Sequence, residues 1–239
     1  EEWNDEFLDA LASRTGGTST YVSSPNAVVR FLNERVRSLG VALVERLRLV
    51  VAPDADIEME SVFKLQPHPQ PLEVAPQPVP LGSLEFNRAL TVLVQLQMPP
   101  SKRTGFRTVA RIDVTGSVLV AENRLYKALS DISIEIAENP LPEDPPLPIL
   151  EALGKLTLYR IQEKAQQSLR EGNVAEATRR LENLATRLLA SGQDELAQMA
   201  IIEARRVTTT NLLSEEGRKA LKFGTRRLLS QFDPRDDAE

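Results

Sequence analysis

The spacing of apolar residues changes twice along this chain, and this constrains its fold more than any other feature. Before Gly40 apolar residues recur every three or four positions. Over residues 41–136 they alternate, and from Leu147 the helical spacing returns. Helices and strands bury one face at periods of 3.6 and 2, so the chain must build helical and sheet parts in succession. Of the 16 prolines, most lie in two clusters: Pro67, Pro69, Pro71, Pro76, Pro78 and Pro80, then Pro140, Pro142, Pro145, Pro146 and Pro148. The second cluster meets the second change of period and reads as a linker over 140–148. Residues 1–150 carry 14 basic and 20 acidic side chains, and the remainder carries 15 and 14. That difference supports a boundary without naming a partner.

Residues 1–39 read as helix, strand, helix. Asn4 or Asp5 can cap a helix with Phe7, Leu8, Leu11 and Ala12 on one face, and Gly16-Gly17 can end it in a left-handed turn. Residues 18–22 are short and β-rich. Ser24 can cap a second helix with Pro25 at its first position, where a missing N–H costs nothing. Val28, Phe31, Leu32, Arg35, Val36 and Leu39 follow at helical spacing.

Over 40–139 strands are expected at 43–51, 57–65, 90–96, 106–114 and 132–136. In the second, Ile57, Met59, Ser61, Phe63 and Leu65 share one face, and Asp56, Glu58, Glu60 and Lys64 the other, with Val62 out of pattern. Residues 99–105 read as a hairpin loop. Strands without intervening helices predict an antiparallel sandwich. Residues 149–232 read as a helical bundle. Val174, Ala177, Leu181, Leu184 and Leu188 form a narrow apolar stripe, Gly172 and Gly192 end helices, and Ser214 can cap the last one. That helix carries Gly217, Ala220, Leu221, Gly224 and Leu228 on one side, small enough for close approach of a neighbour. Residues 233–239 form an acidic tail.

Composition narrows the functions. The 239 residues contain no cysteine, which excludes disulfides, thiolate metal sites and cysteine nucleophiles. His68 is the one histidine. It sits between Pro67 and Pro69 with no nucleophile or orienting acid legible beside it, and reads as an exposed loop residue. A net charge of -5 does not suit a general nucleic-acid or anionic-membrane binder. No apolar run reaches the roughly 18 residues of a membrane span. The chain opens on Glu1 without a signal peptide, so a fragment or processed chain is expected. The run Thr15-Gly16-Gly17-Thr18-Ser19-Thr20 lacks the Gly-Lys-Ser/Thr ending of a phosphate loop and reads as a turn.

Two basic groups are candidate partner-binding residues. Lys102, Arg103 and Arg107 lie at the expected hairpin tip and could meet an acidic partner or phosphates. Arg179, Arg180 and Arg187 lie one to two turns apart on the helix bearing the apolar stripe. The plainer reading of both is a solvated surface, with Glu176 and Arg180 an ordinary i,i+4 pair.

Residues Trp3 to Ala12, then Thr15-Gly16-Gly17, Tyr21-Val22 and the helix from Pro25, resemble the C-terminal end of a bacterial von Willebrand factor A domain. That family binds Mg²⁺ or Mn²⁺ through an Asp-x-Ser-x-Ser motif. The motif does not occur here, so the resemblance places any metal site upstream of this chain. Leu81-Gly82-Ser83-Leu84 and residues 90–96 look like parts of the β-sandwich that follows such domains, whose first strands can precede the A domain. Gly172-Asn173-Val174-Ala175-Glu176-Ala177, with Leu181, Leu184 and Ala185, resembles the second half of a tetratricopeptide repeat, although an array needs about three such units.

The fold expected is therefore multidomain α+β: the α/β tail of an A domain, an antiparallel β-sandwich and a C-terminal helical bundle. The function expected is a non-enzymatic, protein-binding scaffold module with no catalytic residue, cofactor or metal of its own, and Mg²⁺ or Mn²⁺ in the upstream part. Its partner is expected to be a protein or a second copy, not nucleic acid, in a bacterial cytoplasm. The alternatives are a subunit of a homomeric surface or filament assembly, and an enzyme whose catalytic residues lie upstream.

Overall fold

The computed structural model describes residues 4–22, 24–101, 103–119, 124–139 and 144–229. The chain forms two compact units, Glu1–Asp144 and Pro145–Glu239. Trp3, Lys102, linker residues 140–143 and the acidic tail lie outside the described residues.

The first unit begins with α1 (Asp5–Thr15). The Asn4 side chain accepts from the Phe7 N–H at 3.0 Å, and Gly16 ends the helix at φ +70°. Helix α2 (Pro25–Leu39) follows, its first turn capped by the Ser24 hydroxyl, which accepts from the Ala27 N–H at 3.3 Å. The strand expected at 18–22 does not form. An isolated strand leaves its N–H and C=O groups without a ladder, and the described residues supply none there.

Among the described residues, seven strands make two antiparallel sheets. One runs β4 (Val79–Glu85), β1 (Ala42–Pro53), β6 (Gly105–Val118), β7 (Leu125–Ile136). The other runs β3 (Gln70–Leu72), β2 (Glu58–Gln66), β5 (Thr91–Gln97). Val44, Leu47, Leu49 and Val51 of β1, Val62 of β2, Leu72 of β3, Val79 and Leu81 of β4 and Ala110 of β6 form one core drawn from both sheets. Each such aliphatic side chain is worth about 1.5–3 kcal/mol when fully buried. Strands β3 and β4 lie in the first proline cluster. Residues 99–105 do not close a hairpin, because β5 and β6 belong to different sheets.

The face expected for β2 is also corrected. A register shift between Met59 and Ser61 places two residues opposite one on β5, so Met59 and then Val62 meet the core. Such a bulge flips the alternation that follows it. Lys64 therefore shares the core-facing side with Val62, while Phe63 and Leu65 are buried on the other face. Strand β1 has an irregularity of the same kind around Arg46, at φ +51°, which turns Val44 rather than Leu43 inward.

The second unit consists of α3 (Leu147–Arg170), α4 (Val174–Ala190), α5 (Asp194–Thr210) and α6 (Glu215–Leu228). Each packs on the next and α6 returns to α3. Ala177, Leu181, Leu184 and Leu188, four of the five stripe residues, are buried, and Val174 packs against them. A Cβ at Gly217 would lie 2.3 Å from Glu203 Oε1, and one at Gly224 would lie 2.3 Å from Leu196 Cδ2, so the small residues of α6 do admit α5 closely.

Candidate interaction site

Helix α1 docks on β3 and β4 through its small and polar side, with Ala12 and Ser13 buried, and leaves Phe7, Leu8 and Leu11 exposed. Three of the four residues read from the sequence as its apolar face thus stay exposed, and Ala12 turns to the sheets instead. Helix α2 likewise exposes apolar residues. Ala27, Phe31 and Arg35 are half-buried along one stripe, while Val28, Val29, Leu32 and Val36 are 42%, 57%, 55% and 69% exposed along another. Together the two helices expose seven apolar side chains.

A cleft of about 610 Å³ lies where the C-terminal turn of α1 meets the proline-rich β3–β4 segment. Arg14 Nε and the Glu73 carboxylate pair across it at 3.2 Å, and Arg48, Pro76, Pro78 and Pro80 complete its walls. Gln77 is held as a strand residue would be. Its side chain accepts from the Val51 N–H at 3.0 Å and donates to the Val51 carbonyl at 2.9 Å. Sequence reasoning saw the prolines only as a cluster and missed Arg14, Arg48 and Gln77.

The basic residues singled out from the sequence do not converge. Lys102 lies outside the described residues, and Arg103 is exposed. Arg107 pairs with Asp54 and Asp56 of the β1–β2 turn. Arg179 and Arg180 both reach Glu176, and Arg187 Nε donates to Asn183 at 2.9 Å. All three lie on α4, outside its buried stripe.

Two groups near the end of β2, Lys64 and His68, are instead perturbed by burial and by neighbouring cations. Lys64 is 3% exposed, and its Nζ has a long bond of 3.5 Å to the Leu81 carbonyl of the opposite sheet. Burial first, and the Arg35 charge second, lower its ammonium to about 8. His68 is half-buried rather than a free loop residue. Burial, then Arg35, Arg88 and Lys64, hold its imidazole down at about 3, so it is neutral. Arg35 is also lowered by burial, offset by Glu85 and Glu34.

Among the described residues no three His, Asp or Glu side chains are grouped to hold a metal ion. The residues present do not fit the divalent cation of an A domain, which needs several convergent oxygens. Among the same residues no helix is long and apolar enough to cross a membrane.

The fold is similar to that of a solved von Willebrand factor type A protein from Catenulispora acidiphila. The TM-score is 0.67 at 13% identity, covering 94% of this chain and 56% of that one. The ArnB paralog VWA2 from Sulfolobus acidocaldarius aligns with a TM-score of 0.45 and 16% identity over 98% of this chain and 55% of that one. The chain thus spans a little over half the length of both. The first of these likenesses shows that this chain shares its mixed α+β fold with part of that protein. Residues 147–231 match the family described as the Sll0103-like, C-terminal alpha-helical domain. No curated protein matches the chain.

Proposed function

We propose that this chain is the C-terminal part of a von Willebrand factor A-type interaction protein and that it holds the A domain without catalysis of its own. The observation that carries this reading is the outward apolar face of α1 and α2, spread over Phe7, Leu8, Leu11, Val28, Val29, Leu32 and Val36. Those helices coincide with the segment that resembles the end of an A domain. A central α/β sheet preceding α1 would cover them and would carry the Mg²⁺ or Mn²⁺ that binds the partner. The two sheets act as a β-sandwich body to which α1 is fixed. The bundle, tetratricopeptide-like in its Gly172 turn, offers a second protein surface, and joining two surfaces in one chain raises avidity without new contacts.

The test replaces Leu32 and Val36 by Asp in this chain and in the longer protein. This chain should keep its melting temperature, whereas the longer protein should lose stability and Mg²⁺-dependent partner binding. A natural protein with no α/β domain ahead of residue 1, or one indifferent to both substitutions, contradicts the reading.

One observation favours a homomeric assembly as a second reading. Strand β7 is 12 residues long, lies at the edge of its sheet and exposes Leu125 and Leu129. Open edges of that length invite pairing with another copy. A strict monomer in light scattering removes this reading.

A further inference from the structure

We propose, building on the homomeric reading above, that two copies of this chain join by pairing β7 antiparallel with β7 about a two-fold axis centred on Leu129. The backbone sets which groups are on offer. The Val118 N–H donates to the Arg124 carbonyl at 2.9 Å, and β6 and β7 keep one register from Ser117 opposite Leu125 to Ile112 opposite Ser130 and Ala110 opposite Ile132. In an antiparallel ladder a residue turns both its N–H and its C=O to one side, and its neighbours turn theirs to the other. Tyr126, Ala128, Ser130 and Ile132 therefore bond to β6. Leu125, Lys127, Leu129, Asp131 and Ser133 turn theirs to the outer edge, where no strand lies among the described residues. Edges are commonly blunted by proline, by a bulge or by lysine. Strand β7 has no proline, and the one register shift along this pair puts the extra residue, Val109, on β6. Lys127 is its single lysine.

That lysine selects the register. Side chains alternate along a strand, so Leu125, Lys127, Leu129, Asp131 and Ser133 share one face. Leu125 and Leu129 are exposed on it. With the axis at Leu129, Lys127 of each copy falls opposite Asp131 of the other, Leu125 falls opposite Ser133, and Leu129 meets its own copy. On the other face the exposed Tyr126 falls opposite Ile132. An axis at Lys127 or at Asp131 would set like charges face to face. One at Ala128 or Ser130 would set Lys127 or Asp131 opposite Leu129. Opposite charges and apolar pairs directly across a ladder are favourable, and like charges are not. Both charged groups already have a partner in their own chain: Lys127 Nζ lies 3.3 Å from Asp113, and Arg111 Nε 2.6 Å from Asp131. The new pairing adds to these and breaks neither, because an ammonium has three N–H groups and a carboxylate about four acceptor sites. The result is a row of alternating sign, Asp113 and Lys127 of one copy followed by Asp131 and Arg111 of the other.

Sedimentation equilibrium of the full chain across a dilution series tests this, with Lys127→Glu, with Asp131→Lys and with an equal mixture of the two variants, each checked for folding by its melting transition. The parent should dimerise. Either single substitution sets like charges across the axis and should raise the dimer Kd roughly tenfold or more. The mixture should associate as the parent does, because each chain then supplies the charge that the other lacks. The chain contains no cysteine, so one introduced thiol reports on one place. Leu129→Cys should cross-link to its own copy on mild oxidation, since the Cα atoms of such a pair are about 5.5 Å apart, within disulfide reach. Ser83→Cys, exposed on β4 at the other edge of the sheet, should not. A strict monomer overturns this dimer and the homomeric reading together. A dimer that both single substitutions leave unchanged, or in which Leu129→Cys stays uncross-linked, overturns the pairing proposed here and leaves the homomeric reading standing. Should either charge variant lack a melting transition, the Leu129→Cys cross-link decides.

Discussion

Gly16 at the end of α1 lies directly against Gly82 of β4. A Cβ on Gly16 would fall 2.7 Å from the Gly82 nitrogen, and one on Gly82 would fall 2.4 Å from the Gly16 carbonyl oxygen. Both have positive φ, +70° and +95°. The contact welds α1 to the sheet with no room for a side chain on either part. Ala at either position should cost about 2–4 kcal/mol, from left-handed strain plus forced backbone separation. Urea unfolding of the two variants checks this. A loss below about 0.5 kcal/mol would show that α1 is not fixed there.

The start of α6 depends on a carboxylate from α5. The buried Glu203 accepts from the Ser214 N–H at 2.7 Å and from its hydroxyl at 2.6 Å, while that hydroxyl accepts from the Gly217 N–H at 2.9 Å. Ser214→Ala should cost about 1 kcal/mol as a lost cap. Glu203→Ala should cost about 2–4 kcal/mol, since it strands buried donors and opens a gap. Thermal denaturation of both variants orders the two effects, with Glu203→Ala the larger.

Lys64 and His68 should give the stability of the chain a defined pH dependence. The Lys64 ammonium, lowered from 10.5 to about 8, leaves the unfolded chain holding more protons between those values. Stability should therefore rise with pH from about 8 to 10.5, by up to about 3 kcal/mol from this group. In Lys64→Met that rise should be missing. His68, lowered from 6.5 to about 3, stays neutral in the fold while the unfolded chain takes up a proton. Stability should fall as pH drops from 6.5 toward 3, and His68→Gln should flatten that decline. Denaturant midpoints across the pH range measure both windows.

Much of the fold was legible because its signals are local. Asn4, Ser24 and Ser214 all cap helices, each accepting a backbone N–H bond. Gly16, Gly172 and Gly192 end helices at positive φ. What escaped is non-local. The alternation of β2 gave no sign that a bulge after Met59 would turn Lys64 inward, except that Val62 broke the pattern. Strands β3 and β4 hide among prolines because pairing, not propensity, makes them strands. Of the apolar residues grouped on one face of α1, Ala12 turns to the sheets while Phe7, Leu8 and Leu11 stay exposed, because amphipathicity alone cannot say which side a neighbour covers. The basic residues chosen from sequence were chosen for exposure, whereas Lys64 and His68 are perturbed by burial that only the tertiary fold creates.

Exposed apolar residues on α2 should be dispensable to this chain by itself. Val29→Ser and Val36→Ser should each change its stability by less than about 0.5 kcal/mol, because no buried contact is lost. A decrease beyond 1 kcal/mol on unfolding would mean that the stripe is already packed within these residues.

Amide hydrogen exchange over residues 28–36 tests the central claim most directly, compared between this chain and a protein that carries the proposed preceding domain. In this chain α2 should exchange rapidly for a helix, since one side of it packs on little. With the preceding domain present, the same amides should slow by roughly a hundredfold or more, as expected for a helix buried against a sheet. Equal exchange in the two proteins would contradict the account, because the outward faces of α1 and α2 would then have nothing to hold.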